Sequence, residues 1–168
     1  MEIAKQSKAW KKATLDKSAD ANGANESTES DNYPPLGSRG IEETLREARS
    51  HLLRIPPKLA LANYKEQTPE QPVVLVDIRP EAQRKQEGSI EGALVVERNV
   101  LEWRFDPRSD SRHEVAGRYD LRVIVFCQEG YTSSLAAKSL QNLGLSNATD
   151  MEGGYRAWKE AGLPEKLD

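Results

Sequence analysis

The chain has 168 residues, a net charge of −3 and hydrophobic residues at 37% of its positions, which allows one domain of about 100 to 150 residues with an extension. It has no basic excess typical of nucleic-acid binding and no apolar run of about 18 residues that could span a bilayer. We therefore expect neither nucleic acid nor a membrane as a partner. The single cysteine, Cys127, excludes an internal disulfide and a CxxC pair and favours a reducing compartment, with the cytoplasm as the default.

Residues 1–38 are predicted to form a disordered N-terminal tail. Within them, residues 18–32 contain no aliphatic side chain larger than alanine, so this stretch cannot bury enough apolar surface to offset the entropy lost on ordering. The lysine-rich start has no apolar core of the signal-peptide type, so we expect no targeting segment. The folded domain is predicted at residues 39–168.

The next elements follow from the spacing of apolar residues. Helical spacing predicts a leading helix at about 40–54, which the Ile-Pro-Pro sequence at 55–57 ends. The run VVLVDI at 73–78 is short, rich in β-branched residues and unalternating, as in a strand buried on both faces. Further strands are predicted at 93–96, 122–126 and 148–151, and further helices at 58–64 and 133–143. A last short helix is predicted within YRAWKEAGLP at 155–164, with Gly162 beyond its end. Because strands alternate with helices, we predict an α/β sandwich of three layers with a mostly parallel central sheet flanked by helices.

Cys127 lies in the sequence FCQEGYTSS, directly after the predicted strand at 122–126. Ligands collect at the carboxyl ends of parallel strands. The N–H groups of a turn that leads into a helix lack intrahelical acceptors, and the helix dipole adds partial positive charge there. This setting favours a thiolate and predicts that Cys127 is a nucleophile, the alternative being a small buried apolar residue. Gly130 fits a loop that needs a positive φ or a close approach to the sulfur.

Other polar residues have weaker signals. Asp77 could bond amides of the loop, although a strand-end aspartate more commonly bonds its own local backbone. The two histidines, His51 and His113, do not neighbour the cysteine in sequence, so we do not expect a Cys–His dyad. Tyr155 and Trp158 are expected to pack in the core.

Four separated motifs resemble those of the rhodanese-like domain family. They are LVDIR at 75–79, GSIEGA at 88–93, CQEGYTS at 127–133 and EGGYRAWKEAGLP at 152–164. Ser89 stands where the second motif usually has histidine. The segment ERNVLEWRFDP at 97–107 is similar to a variant of the family in which an arginine follows the second strand, which marks Arg98. The resemblance covers about residues 75–164.

The resemblance implies a rhodanese-like fold and a sulfurtransferase that carries sulfane sulfur as a persulfide of Cys127. The donor would be thiosulfate, a small persulfide or a persulfide-bearing protein, and the acceptor cyanide or a thiol, without a metal or an organic cofactor. The residues expected to bind substrate are Gln128, Glu129, Gly130, Tyr131, Thr132, Ser133 and Arg98. Asp77 and Arg79 are expected to support the site.

Two other functions remain open. One is a non-catalytic rhodanese-like module for binding or regulation. The other is a cysteine-dependent phosphatase or arsenate reductase, which is disfavoured because similar folds with that chemistry have a seven-residue loop that ends in arginine to hold the phosphoryl oxygens. Here the loop from Cys127 ends near Thr132 and Ser133 follows.

Glu129 is expected to face the pocket mouth and repel a dianion such as thiosulfate, with Arg98 as the nearest counter-charge.

Overall fold

The structure is a computed structural model that describes residues 33–166. The tail predicted at 1–38 lies, except for 33–38, outside the described residues, so its disorder stays a prediction. In the part that is described, no helix is long and apolar enough to cross a membrane.

The described residues form a sheet of four parallel strands. The strands are β1 (Val73–Asp77), β2 (Leu94–Val95), β3 (Arg122–Phe126) and β4 (Thr149–Asp150), and their order in the sheet is β2-β1-β3-β4. The two long strands, β1 and β3, pair along their whole length in the centre. All but the first residue of each is buried, as their apolar sequences predict. The prediction of a mostly parallel sheet is confirmed.

Helices cover both faces of the sheet. They are α1 (Ile41–Ser50), α2 (Pro57–Lys65), α3 (Glu81–Glu87), α4 (Leu101–Phe105), α5 (Thr132–Asn142) and α6 (Gly154–Glu160), with 3-10 turns at Arg98–Val100 and Glu114–Ala116. Apolar side chains form one cluster on each side of the sheet. Tyr155 and Trp158 are fully buried in one of them, which confirms their expected place in the core.

The leading helix ends earlier than predicted, at Ser50 instead of near residue 54. The chain after it runs beside β4 instead. Thr149 donates its hydroxyl proton to the Leu53 carbonyl at 2.9 Å, and Ile55 forms a parallel bridge with Met151. The backbone of this segment is therefore satisfied by the edge of the sheet, a contact that helical spacing in the sequence does not reveal.

Candidate active site

The loop between β3 and α5 wraps around the sulfur of Cys127. The Gly130 N–H donates to Cys127 Sγ at 3.2 Å, and the thiol donates to Ser133 Oγ at 3.4 Å. Ser133 belongs to the first turn of α5, so the sulfur lies between the loop and the N-terminus of the helix. The structure therefore brings together the loop residues that the sequence analysis singled out.

The N-terminus of α6 holds two carbonyls of the loop from outside. The Tyr155 N–H donates to the Cys127 carbonyl at 2.9 Å, and the Arg156 N–H donates to the Gln128 carbonyl at 3.0 Å. In a planar trans peptide the carbonyl and the following N–H point in opposite directions. The amides of Gln128 and Glu129 therefore point away from α6, and no protein acceptor within residues 33–166 receives them. Unpaired N–H groups of this kind bind anions.

Two glycines allow α6 and the loop to approach each other this closely. Gly154 has φ +61°, and a Cβ there would lie 2.3 Å from the Cys127 carbonyl oxygen. Gly130 has φ +80°, and a Cβ there would lie 2.9 Å from the Gly153 nitrogen. Both positions thus combine a backbone conformation that L side chains rarely adopt with a lack of space for a side chain.

A buried ion pair supports the other side of the loop. Asp77 and Arg79 are each 1% exposed, and their closest charged atoms are 2.7 Å apart. Asp77 also accepts from the Arg79 backbone N–H at 2.9 Å, the local role that is commoner for a strand-end aspartate. Arg79 reaches the loop, since its Nη1 donates to Gln128 Oε1 at 3.1 Å, while its guanidinium lies 3.9 Å from the ring centre of Tyr155.

A pocket of about 470 Å³ opens in front of the sulfur. Its lining residues are Ile78, Arg79, Pro80, Gln83, Arg98, Cys127, Gln128, Glu129, Tyr131 and Thr132. Arg98 therefore lies on the same pocket as the cysteine, although the two are remote in sequence. Other depressions, including one of about 620 Å³ beside β2, contain no cysteine, because the chain has only one.

The charge of Arg98 is partly balanced by Glu102, which lies 2.8 Å away. Burial raises the pKa of Glu102. The hydrogen bond from Ser139 at 2.6 Å, a backbone hydrogen bond and Arg98 together outweigh burial, so the pKa of Glu102 lies below its ordinary value. Glu102 is thus ionised at neutral pH. Arg98 can still present its outer face to the pocket, since its side chain is 36% exposed.

The Rhodanese-like domain model matches residues 60–161. The chain belongs to the rhodanese-like domain family. A protein of unknown function from Rhodopseudomonas palustris, described as a possible tyrosine phosphatase, is 34% identical and superposes with a TM-score of 0.69 over 80% of this chain and 99% of its own. A rhodanese-related protein from Thermoplasma volcanium is 25% identical, with a TM-score of 0.52 over 68% of this chain and 98% of its own.

Curated relatives carry sulfurtransferase names. The adenylyltransferase and sulfurtransferase MOCS3 of Oryza sativa subsp. japonica is 33% identical over 100 residues, which are 57% of this chain and 22% of the rice protein. The thiosulfate sulfurtransferase GlpE of Vibrio cholerae is 39% identical over 46 residues, which are 27% of this chain and 43% of the Vibrio protein. This rhodanese-like domain thus matches less than half the length of either relative.

The expectation for the charge of Glu129 needs a correction. Glu129 lines the pocket of the rhodanese-like domain, but its carboxylate forms an ion pair with Arg156. The predicted nearest counter-charge, Arg98, is paired with Glu102 instead. Because α6 lies against the loop, it brings Arg156 to Glu129, and this contact is not readable from the sequence.

Three charged residues behind the loop were missed by the sequence analysis. Asp150 is fully buried and accepts from Ser133 at 3.2 Å, Ser134 at 2.8 Å and Arg54 at 2.8 Å; Arg54 and Arg49 both donate to the Gly130 carbonyl. Asp150 lies one residue before the end of the strand predicted at 148–151 and is the last residue of β4, so the strand-end rule could have found it. The two arginines precede the loop by more than seventy residues and carry no motif.

The histidines do not contribute to the pocket. His51 follows the last residue of α1, and His113 Nδ1 accepts from the Val115 N–H at 3.4 Å. Neither lines the pocket in front of Cys127. Among the described residues there is also no group of three or more His, Cys, Asp or Glu side chains that could hold a metal ion.

Proposed function

We propose that this rhodanese-like domain is a sulfurtransferase that carries sulfane sulfur as a persulfide of Cys127. The observation that supports this most is the arrangement around the sulfur. The Gly130 N–H lies 3.2 Å from Sγ, and neighbouring amides of the loop have no acceptor in the described part of the protein. Such amides stabilise negative charge on a thiolate or on the outer sulfur of a persulfide. The sulfurtransferase names of the curated relatives agree with this function.

The proposed reaction has two steps. In the first, the Cys127 thiolate attacks the outer sulfur of thiosulfate; a bond forms between the two sulfurs, the original sulfur–sulfur bond breaks, and sulfite leaves with its electron pair. In the second, cyanide or a thiolate attacks the outer sulfur of the persulfide, forms thiocyanate or a new persulfide, and releases the Cys127 thiolate. No net oxidation and no further cofactor are needed.

The other pocket residues have roles that follow from their positions. Arg98 would attract an anionic donor, while Tyr131 and Thr132 line the rim on the loop side. Asp77 and Arg79 would hold the loop from within through Gln128. The pocket volume of about 470 Å³ suits a small donor. A small persulfide or a persulfide-bearing protein remains a second donor class, since both present the same kind of sulfur.

A phosphatase or arsenate reductase is less well supported. The similar Rhodopseudomonas palustris protein is described as a possible tyrosine phosphatase. However, no residue from 128 to 133 is an arginine, so the loop lacks the planar, bidentate group that holds phosphoryl oxygens. Ser133 is instead buried and bonded to Asp150. A non-catalytic binding module is the remaining alternative.

The deciding experiment is intact-mass spectrometry of the protein incubated with thiosulfate or with a small persulfide, followed by cyanide. We expect a gain of one sulfur atom that cyanide removes, and no gain in Cys127→Ser, which keeps the loop backbone. No gain with any sulfur donor would refute sulfur transfer and favour the binding module. Hydrolysis of a chromogenic phosphate ester that depends on Cys127 would favour the phosphatase.

Location and domain limits belong to the same proposal. The single cysteine fits a reducing compartment, and we place the reaction in the cytoplasm. We also propose that residues 39–168 suffice for sulfur transfer and that the tail at 1–38 is disordered.

A further inference from the structure

The segment that precedes the family match contacts the active-site loop directly. Helix α1 packs against α5, and its Arg49 donates to the Gly130 carbonyl at 2.9 Å and to Ser134 Oγ at 3.2 Å. Arg54, beyond the end of α1, donates to the same carbonyl at 3.2 Å. Both arginines lie outside residues 60–161, where the family model matches. The loop is thus held by residues from outside the matched part of the chain.

Backbone pairing fixes the position of Arg54. The Ile55 N–H donates to the Asp150 carbonyl at 3.2 Å, and the Glu152 N–H donates to the Ile55 carbonyl at 2.9 Å. This pairing places Arg54 beside Asp150, and its guanidinium makes two hydrogen bonds to the carboxylate, at 2.8 and 3.1 Å. While this bidentate pair is formed, Nη2 of Arg54 also donates to the Gly130 carbonyl.

The two guanidinium groups set the direction of one peptide in the loop. Because the Gly130 carbonyl points at Arg49 and Arg54, the N–H of Tyr131 in the same planar peptide must point the opposite way. No protein acceptor within residues 33–166 receives that N–H. Tyr131 lines the pocket in front of the sulfur. The arginines therefore act on the loop as the N-terminus of α6 does, by fixing a carbonyl outside and leaving an amide free.

The two arginines differ in charge balance. Arg54 is paired with the buried carboxylate of Asp150. Arg49 makes no ion pair with any described carboxylate; its partners are the Gly130 carbonyl, a serine hydroxyl and the ring of Tyr131, 5.5 Å from its guanidinium. Its positive charge is thus not cancelled locally and adds to the attraction for an anion beside the loop.

We propose that Arg49 and Arg54 are positioning residues for Cys127, which hold the Gly130–Tyr131 peptide so that its N–H faces the anion formed at the sulfur. The proposal rests on the proposed function only in taking Cys127 as the reactive group. A purely structural alternative is that the arginines merely attach the N-terminal segment to the domain. In that case their loss would lower stability and leave the reactivity of the sulfur unchanged.

The test measures the alkylation rate of Cys127 at pH 6 with iodoacetamide, which is neutral, and with iodoacetate, which is an anion. Both reagents react with the thiolate rather than the thiol, so the rate reports how well the loop amides stabilise the anion at the sulfur. The variants are Arg49→Gln and Arg49→Lys in the full chain. The matched control is Arg46→Gln, an exposed arginine of the same helix. Thermal unfolding of each variant shows that it is folded.

Arg49→Gln should slow both reagents about three- to tenfold relative to the control, the range expected for the loss of one hydrogen bond of ordinary net strength, and Arg49→Lys should recover part of the rate. Rates equal to the control would overturn the proposal. A loss confined to iodoacetate would also overturn it, because it would show long-range charge without positioning.

Arg54 is tested by Arg54→Lys, since lysine keeps a positive charge beside the buried Asp150 and avoids an unpaired carboxylate. A lysine amine cannot reproduce both the bidentate pair and the Gly130 contact, so both reagents should react at least about twofold more slowly. An unchanged rate would remove Arg54 from the proposal. Alkylation does not require sulfur transfer, so a protein that forms no persulfide but shows the Arg49 effect would refute the proposed function and support this inference.

Discussion

The contact between α6 and the active-site loop gives a prediction whose size follows from the structure. Gly154 and Gly162 have nearly the same positive φ, +61° and +64°. A Cβ at Gly154 would lie 2.3 Å from the Cys127 carbonyl oxygen, whereas nothing lies within 4 Å of a Cβ at Gly162. The two alanine variants therefore share the cost of the left-handed backbone, and only Gly154→Ala also forces the loop and α6 apart.

The left-handed conformation costs an alanine about 1 to 2 kcal/mol, and this is the whole expected loss in Gly162→Ala. In Gly154→Ala the overlap with backbone adds about 1 to 3 kcal/mol, as for other overpacked sites. For a domain of this size the added loss corresponds to a Tm lower by about 3 to 10 °C than that of Gly162→Ala. Urea unfolding of the two variants and the parent protein measures the cost of the left-handed backbone and the added cost of the overlap.

Relief of the overlap should also move the Cys127 carbonyl, which accepts from the Tyr155 N–H. We therefore expect Gly154→Ala to slow alkylation of Cys127 severalfold, while Gly162→Ala, remote from the loop, reacts like the parent protein. Equal stability and equal alkylation rates in the two alanine variants would refute the argument that Gly154 is needed for the close approach of α6 to the loop.

Three further predictions concern charge and domain limits. Glu129→Gln should lower KM for thiosulfate no more than about threefold, and Arg156→Gln should raise it, both with little change in kcat, because the two exposed groups form an ion pair worth at most about 1 kcal/mol. Steady-state kinetics at low salt measure both effects, and a lower KM in Arg156→Gln would contradict this prediction. Glu102→Gln should be less stable than the parent at pH 7 in urea unfolding, and the difference should shrink as pH falls below the ordinary carboxyl value. A carboxyl with a lowered pKa stabilises the fold above its ordinary value and loses this contribution as pH falls through the folded value; a difference that does not shrink with falling pH would speak against an ionic role. A chain that starts at Arg39, and so keeps the ion pair of this residue with Glu47, should keep the Tm and the transfer rate of the full chain; a marked loss of either would show that residues 1–38 act on the domain.

The sequence predicted the sheet better than the helices. The strands β1 and β3 are continuous β-branched runs, and both were placed within one residue of their observed ends, because strands buried on both faces must be apolar throughout. Helix α1 was predicted too long, because the Leu53 carbonyl accepts from Thr149 and Ile55, next to the predicted end of the helix, pairs with Met151. Such pairing depends on contacts about a hundred residues apart, which local spacing cannot report.

The residues of the site also fall into a group that the sequence could predict and a group that it could not. The loop residues could be found from the sequence, because a strand, a cysteine, a glycine and a helix start follow one another within ten positions. The residues that hold the loop could not, since its carbonyls at Cys127, Gln128 and Gly130 are fixed by α6, Arg49 and Arg54. A rhodanese-like chain can therefore keep the whole loop sequence and still lose the geometry of the site through changes in the segment before residue 60. For this protein, the presence of Arg49 and its hydrogen bond to the Gly130 carbonyl should predict the reactivity of Cys127 better than a match to the loop motif alone.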